Sequence, residues 1–195
     1  MIILMSGPNA VGKSTTASAL AGHMKRGTYL EGDLLRVFVM GGLCAWSGGL
    51  PPWKHPVEYR EQLDLRNLNA ITLAANFERN GFHSVIEGLD ADTIGPGTGW
   101  MDEHIPGLDV RHVAVICDPS LTQQRLIDRG DKPRDLEEYS GWLKEVENAD
   151  PSFDHVLDTS SKTTMECVQE CAAAFDIELD EQTVFGIDWN VIRRP

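Results

Sequence analysis

A candidate phosphate-binding loop stands near the start of the sequence. It follows an apolar run over residues 2–5 and has the pattern G-x-x-x-x-G-K-S. In this pattern, two glycines let the backbone wrap around a phosphate chain, while successive N–H groups and a helix N-terminus hold it. The lysine reaches the terminal phosphates and the serine hydroxyl binds Mg²⁺. We therefore expect ATP and Mg²⁺ here, with GTP as the alternative, and the expected contacts are Gly7, Asn9, Ala10, Val11, Gly12, Lys13, Ser14 and Thr15.

A carboxylate and an arginine come directly after a second short strand, predicted over residues 28–32. Because ligands bind at the carboxyl ends of the strands in an open α/β sheet, Asp33 should face the same crevice as the loop. Its chemistry suits a general base that accepts the proton of an attacking hydroxyl, although it could instead cap its own helix. Arg36 lies one helical turn later on the same face and could, with Lys13, stabilise charge on a transferred phosphoryl group.

Three further arginines surround the end of a later helix. Arg125 and Arg129 are four residues apart and share a helix face, and Arg134 follows on a loop. They suit a lid that faces phosphates, and the alternative is a solvated surface paired with nearby acids. Glu87, at the end of the third predicted strand, is a candidate magnesium ligand that would act through bound water behind Ser14, or a surface carboxylate.

Five strand-and-helix pairs must position these residues. This alternation predicts an α/β fold with a parallel sheet covered by helices on both faces. A long helix is predicted from Pro56 to Asn80, with a core stripe that includes Leu65, Leu68 and Ile71. We expect one domain over residues 1–175 with acceptor loops at 41–55 and 88–108, a lid at 125–135 and a C-terminal extension at 176–195.

Composition limits the classes of function. The chain has 195 residues and a formal net charge of −13, which argues against a long nucleic-acid interface. No apolar run approaches the roughly 20 residues of a membrane span, and no signal peptide is recognisable, so we expect a cytoplasmic protein. Four cysteines without a C-x-x-C pair indicate neither a zinc site nor a disulfide framework.

The sequence resembles small P-loop kinases of the gluconate kinase, shikimate kinase, adenylylsulfate kinase and chloramphenicol phosphotransferase group. Four features carry the resemblance: the phosphate loop, the Gly32-Asp33-x-x-Arg36 spacing, the arginines from Arg125 onward and the stretch 156–160. The Asp-x-x-Arg spacing also resembles the 5′-hydroxyl polynucleotide kinases, and the overall size is similar to the tunicamycin-resistance ATP-binding proteins. The resemblance covers residues 1–36 and 110–175.

The resemblance implies a three-layer P-loop NTPase fold with strand order 2-3-1-4-5. In the kinase group the aspartate after the second strand is the catalytic base, and lid arginines grip ATP phosphates and stack on adenine. Asp33 matches the first role, and Arg125, Arg129 and Arg134 match the second. Residues 41–108 match no family motif and are expected to select the acceptor.

The leading hypothesis is an ATP- and Mg²⁺-dependent kinase that phosphorylates a hydroxyl of a small molecule, either an antibiotic or a sugar-like metabolite. Two alternatives stay open. One is a polynucleotide 5′-hydroxyl kinase, which the acidic composition disfavours, and the other is a nucleotide-dependent protein that sequesters a ligand without transferring phosphate.

Overall fold

The computed structural model describes residues 1–44, 56–89, 94–95, 97–132, 136–148 and 153–180. Most of the first expected acceptor loop, part of the second, Arg134 and residues 181–195 of the extension lie outside the described residues. The predictions made for them therefore stay predictions.

A five-stranded parallel sheet forms the centre of the molecule, in the order β2-β3-β1-β4-β5. The strands are β1 (Ile2–Ser6), β2 (Gly27–Glu31), β3 (His83–Glu87), β4 (Val110–Ile116) and β5 (His155–Asp158). The observed order confirms the predicted sheet and fold class. In the register, Glu31 of β2 lies beside Glu87 of β3, so two carboxylates end neighbouring strands next to the phosphate loop.

Helices cover both faces of the sheet. They are α1 (Lys13–His23), α2 (Gly32–Arg36), α3 (Val57–Arg79), α4 (Trp100–His104), α5 (Pro119–Asp128), α6 (Leu136–Asn148) and α7 (Thr164–Ala174). The side chain of Asp118 caps α5, and Thr163 with Glu166 forms a capping box on α7. Within the described part of the chain, no helix combines the length and apolarity needed to cross a membrane.

Two hydrophobic clusters hold these layers together, one on each face of the sheet. Alternate residues of β1 divide between them: Ile3 and Met5 join the cluster under α1 and α7, whereas Ile2 and Leu4 join the cluster under α3. This alternation follows from the two-residue period of a strand, and burial on both faces explains why β1 is continuously apolar. All four cysteines are free thiols, and three of them are buried.

Two expectations about local structure were wrong. The short helix α4 lies inside the second loop, where no periodicity predicted it. On α3, Leu65 and Leu68 are 47% and 40% exposed rather than buried in the core. The buried face of α3 instead comprises Tyr59, Arg66, Asn67, Ala70, Ile71, Ala74 and Ala75.

Candidate active site

The phosphate loop joins β1 to α1 in a conformation that only small residues permit. Gly7 has a φ of 148°, and a Cβ placed there would lie 2.5 Å from the carbonyl oxygen of Val115. Gly12 has a φ of 103° and is the N-cap of α1. The Lys13 ammonium group donates to the carbonyl oxygen of Pro8 at 2.7 Å, so the side chain curls over the loop. The turn is therefore shaped as a cradle for an anion.

Two side chains from later in the sequence donate hydrogen bonds to backbone carbonyl oxygens of the loop. The hydroxyl of Tyr139 on α6 donates to the carbonyl oxygen of Asn9. Thr159, just after β5, donates from Oγ1 to the carbonyl oxygen of Val11 at 2.6 Å. Tyr139 and Thr159 are 2% and 3% exposed, and neither was predicted from the sequence to be part of the site.

One cavity of about 410 Å³ joins the phosphate loop to a group of carboxylates. Its lining includes Asn9, Ala10, Gly12, Lys13, Ser14, Glu31, Asp33, Glu87, Arg129 and Lys132. The predicted base and the predicted phosphate cradle therefore open into the same space.

Asp33 lies within the first turn of α2, and the N-cap of that helix is Glu31. Asp33 does not cap its own helix, so the alternative of pure capping was wrong. Its carboxylate is 69% exposed and accepts a bond from Nη1 of Arg66 to Oδ1 at 3.0 Å.

Arg66 belongs to the site but was not predicted from the sequence. It projects from the buried face of α3 and is 7% exposed. Its Nε and Nη2 atoms donate to Oδ1 of Asn67 at 3.4 and 3.2 Å, and Asn67 is fully buried. Two adjacent polar residues on an otherwise apolar stripe were the signal that could have revealed this pair.

Glu87 is buried beside the loop, with 6% of its surface exposed. Burial raises the pKa of its carboxyl group, and the Lys13 ammonium group opposes that shift. The hydroxyl of Tyr29 donates to Oε1 of Glu87 at 3.0 Å. The pKa of Tyr29 is raised by burial first and by the charge of Glu87 second, so the phenol stays protonated.

Arg36 contacts the start of the first predicted acceptor loop. Its Nη2 donates to the carbonyl oxygen of Cys44 at 2.6 Å, and its guanidinium lies 5.0 Å from the ring centroid of Tyr59. Arg36 is not among the residues that line the 410 Å³ cavity.

Arg125 and Arg129 border a second cavity, of about 350 Å³, on the other side of the loop. Arg125 donates to Oγ1 and the carbonyl oxygen of Thr159 at 3.1 and 3.2 Å. Arg129 lines both cavities. The structure thus brings these two predicted lid residues to the loop, and Arg134 lies outside the described residues.

These residues fit a nucleotide with a magnesium ion. The loop leaves room that a Cβ at Gly7 would remove, and its lysine and helix N-terminus supply positive charge. Ser14 and Glu87 offer the oxygen ligands that Mg²⁺ prefers. No three acidic, histidine or cysteine side chains of the described residues form a complete metal cage, and Mg²⁺ usually completes its shell with phosphate oxygens and water.

A family model for chloramphenicol phosphotransferase-like proteins matches residues 1–176 of the sequence. No curated protein sequence matches the chain significantly. The family match spans the phosphate loop, the sheet and all the described helices.

Solved structures share the fold at low sequence identity. A Deinococcus radiodurans tunicamycin resistance protein is 20% identical, with a TM-score of 0.66 over 93% of this chain and 98% of that one. A Janibacter sugar kinase is 18% identical, with a TM-score of 0.60 over 90% and 94%. Shikimate kinase from Acinetobacter baumannii is 16% identical, with a TM-score of 0.54 over 87% and 89%.

Proposed function

Because the chain belongs to the chloramphenicol phosphotransferase-like family, we propose that it transfers the γ-phosphate of ATP to a hydroxyl group of a small molecule. The observation that carries this proposal is the single cavity shared by the phosphate loop and Asp33. A phosphotransferase needs both halves, a cradle for the donor and a base for the acceptor.

Asp33 is the proposed general base. Its Oδ1 is held by Arg66, so Oδ2 is the atom that we assign to accept the acceptor's proton. As that proton leaves, the acceptor oxygen bonds to the γ-phosphorus and the bond to the β,γ-bridging oxygen breaks, which releases ADP. Arg66 keeps the carboxylate of Asp33 oriented. That side chain is 69% exposed, so packing alone does not hold it in one orientation.

Cationic groups stabilise the charge that spreads over the transferred phosphoryl group. Lys13 is the first candidate for this role, because its side chain lies over the phosphate loop. Arg129, from the predicted lid, lines the same cavity. Mg²⁺, held by Ser14 with Glu87 nearby, would supply further charge neutralisation. Arg125 and Thr159 border the 350 Å³ cavity, which we propose holds the adenine ring of ATP. Arg36 and Arg134 stay predicted contributors on the acceptor and lid sides.

The acceptor is proposed to bind between Asp33 and the loops at 41–55 and 88–108. The names of the family and of its structural neighbours, which include a gluconokinase, suggest the first compounds to test: chloramphenicol, tunicamycin, shikimate and gluconate. The polar lining of the shared cavity favours an acceptor with several hydroxyl groups. We place the reaction in the cytoplasm, where ATP is available.

The experiment is mass spectrometry of each compound after incubation with the protein, ATP and Mg²⁺. A mass gain of one phosphate on any of them supports transfer, whereas ligand binding without that gain indicates sequestration. Asp33→Asn should keep ADP affinity but lose transfer by about 10² or more. Near-normal turnover in that variant would remove Asp33 from the role of base.

Lys13→Ala serves as the comparison variant, because it should weaken nucleotide binding and transfer together. Glu58→Gln is a matched control. It is an exposed carboxylate in the first turn of α3, outside both cavities, and should change neither measurement.

A further inference from the structure

A lysine borders the cavity of about 350 Å³ that we propose for the adenine ring. Lys162 lines this cavity together with Thr159, Thr164 and Cys167. It lies in the turn after β5, directly before Thr163, which is the N-cap of α7. Lys162 was not among the site residues predicted from the sequence. The structure thus brings a cation to the wall of the base cavity.

Two residues hold the Lys162 side chain in place. Nζ of Lys162 lies 2.5 Å from Oε2 of Glu170 on α7. The other oxygen of that carboxylate, Oε1, lies 3.2 Å from Nε2 of His155 on β5. The hydrogen bond to Glu170 raises the pKa of Lys162, so the ammonium group keeps its charge. An ammonium group has three N–H donors, so a bond to Glu170 leaves donors for a ligand.

Folding stability alone does not explain a lysine at this position. Lys162 and Glu170 are 31% and 30% exposed, and ion pairs at such surfaces contribute little to stability. The helix dipole also disfavours a cation beside a helix N-terminus, where an acid such as Glu166 of the first turn is favoured. A ligand that accepts a hydrogen bond in the cavity accounts for the lysine better.

We propose that Lys162 donates a hydrogen bond to the edge of the nucleotide base and so contributes to recognition of the donor nucleotide. The ring nitrogens of adenine carry lone pairs that can accept this bond. Glu170 is a positioning residue, because it holds the lysine side chain beside the cavity, and His155 holds Glu170. These roles rest on the proposed function in placing the adenine ring in this cavity, and they do not depend on phosphoryl transfer.

Calorimetry with three ligands tests the contact between Lys162 and the base. ADP carries the base, the ribose and the phosphates, 2′,3′-dideoxy-ADP lacks the ribose hydroxyl groups, and pyrophosphate carries only phosphates. Lys162→Met keeps most of the side-chain length and removes the charge. It should lower the affinity for ADP and for dideoxy-ADP by about tenfold, the scale of one hydrogen bond from a charged donor. Pyrophosphate affinity should stay within about twofold, which also shows that the variant is folded.

Lys25→Met is the matched control. Lys25 is exposed and lines neither cavity at the phosphate loop, so the same change of charge should leave all three affinities unaltered. Glu170→Ala tests the positioning role. It should weaken ADP binding by about threefold in the wild-type background and have no effect in Lys162→Met, because its contribution passes through the lysine.

Four results would each contradict part of this assignment. Unchanged ADP affinity in Lys162→Met would remove the contact, and an equal loss for pyrophosphate would mean that the lysine acts on the phosphates. A loss that disappears with dideoxy-ADP would assign Lys162 to the ribose instead. An effect of Glu170→Ala that persists in Lys162→Met would remove the positioning role. Failure of the kinase proposal alone would look different, because the base-dependent loss would be observed while no compound gained a phosphate.

Discussion

Asp33 and Arg66 form an ion pair whose two members differ greatly in exposure. The carboxylate is 69% exposed and the guanidinium is 7% exposed, so the pair is anchored from the α3 side. A buried guanidinium must satisfy its remaining N–H groups, and Asn67 accepts from two of its nitrogens. The fully buried amide thus positions the arginine, and the arginine positions the proposed base.

Asn67→Ala tests whether Asn67 holds Arg66 in place. The change removes both bonds to Arg66 and leaves a small cavity, so the free energy of unfolding should fall by about 2–3 kcal/mol. ADP affinity should persist, because Asn67 lines neither cavity at the phosphate loop. Urea denaturation and ADP titration measure the two effects. Asn76→Ala, at an exposed position of the same helix, is the control, and equal stability of the two variants would contradict the prediction.

Glu87 provides a prediction about pH. Its pKa in the folded protein is raised above the value of the unfolded chain, so ionisation of Glu87 opposes folding. That penalty is absent below the unfolded pKa and is fully present above the folded pKa. Glu87→Gln should therefore have a higher Tm than the wild type at pH 7 without nucleotide or metal, and the difference should shrink toward pH 4. A variant less stable than wild type at pH 7, with no dependence on pH, would show that ionisation of Glu87 does not oppose folding.

At the scale of elements, the phosphate loop depends on a helix more than a hundred residues away in sequence. The hydroxyl of Tyr139 on α6 binds the carbonyl oxygen of Asn9, and Nε1 of Trp142 donates to the carbonyl oxygen of Val115 at 3.1 Å. The same carbonyl of Val115 is the atom that a Cβ at Gly7 would strike. The loop is therefore packed between β4 and α6.

Tyr139→Phe removes only the hydroxyl from this contact. A lost hydrogen bond of this kind costs about 1 kcal/mol, so ADP should bind about fivefold more weakly if the loop loses its shape. The loss should be equal with and without Mg²⁺. Calorimetry of ADP binding measures it, and Tyr59→Phe, at a buried tyrosine on α3, is the control. An ADP affinity equal to that of the wild type would show that the Tyr139 hydrogen bond is not needed to keep the loop in its binding conformation.

The parts of the fold that follow local rules were predictable from the sequence. The glycines and Lys13 identified the phosphate loop, and the caps at Asp118 and Thr163 marked the starts of α5 and α7. The order of the sheet came from the resemblance to small kinases, and the structure confirms it.

The side-chain pairings that depend on packing were not predictable. On α3 the apolar residues Leu65 and Leu68 suggested a core stripe, but the helix is rotated so that Arg66 and Asn67 face inward. Burying these polar groups is favourable only because Asp33 and the Asn67 amide pair with the guanidinium. That pairing joins residues 33 positions apart in sequence. Tyr29 was also missed, because a tyrosine in a strand usually serves only to pack against its neighbours.

At the scale of the whole molecule, the fold is shared far more widely than the sequence. The tunicamycin resistance protein aligns over 93% of this chain at 20% identity, so shape alone does not specify an acceptor. The feature of this chain that bears on the choice between a small-molecule acceptor and a polynucleotide acceptor is then its net charge. The chain carries 30 acidic residues against 17 lysines and arginines.

That imbalance predicts that a 5′-hydroxyl oligonucleotide will be a poor acceptor. Affinity for a nucleic-acid strand comes largely from neutralised phosphates, each of which contributes a slope of about −0.7 in a plot of log affinity against log salt for a single strand. A chain with net charge −13 repels such a strand, and the basic residues lining the cleft, Lys13, Arg129 and Lys132, are the ones that we propose bind the nucleotide. Fluorescence anisotropy across a salt series should show no binding near physiological ionic strength, while ADP binds normally in the same buffer. Radiolabel transfer from ATP to the oligonucleotide, with a steep salt dependence, would instead make the polynucleotide kinase hypothesis the better one.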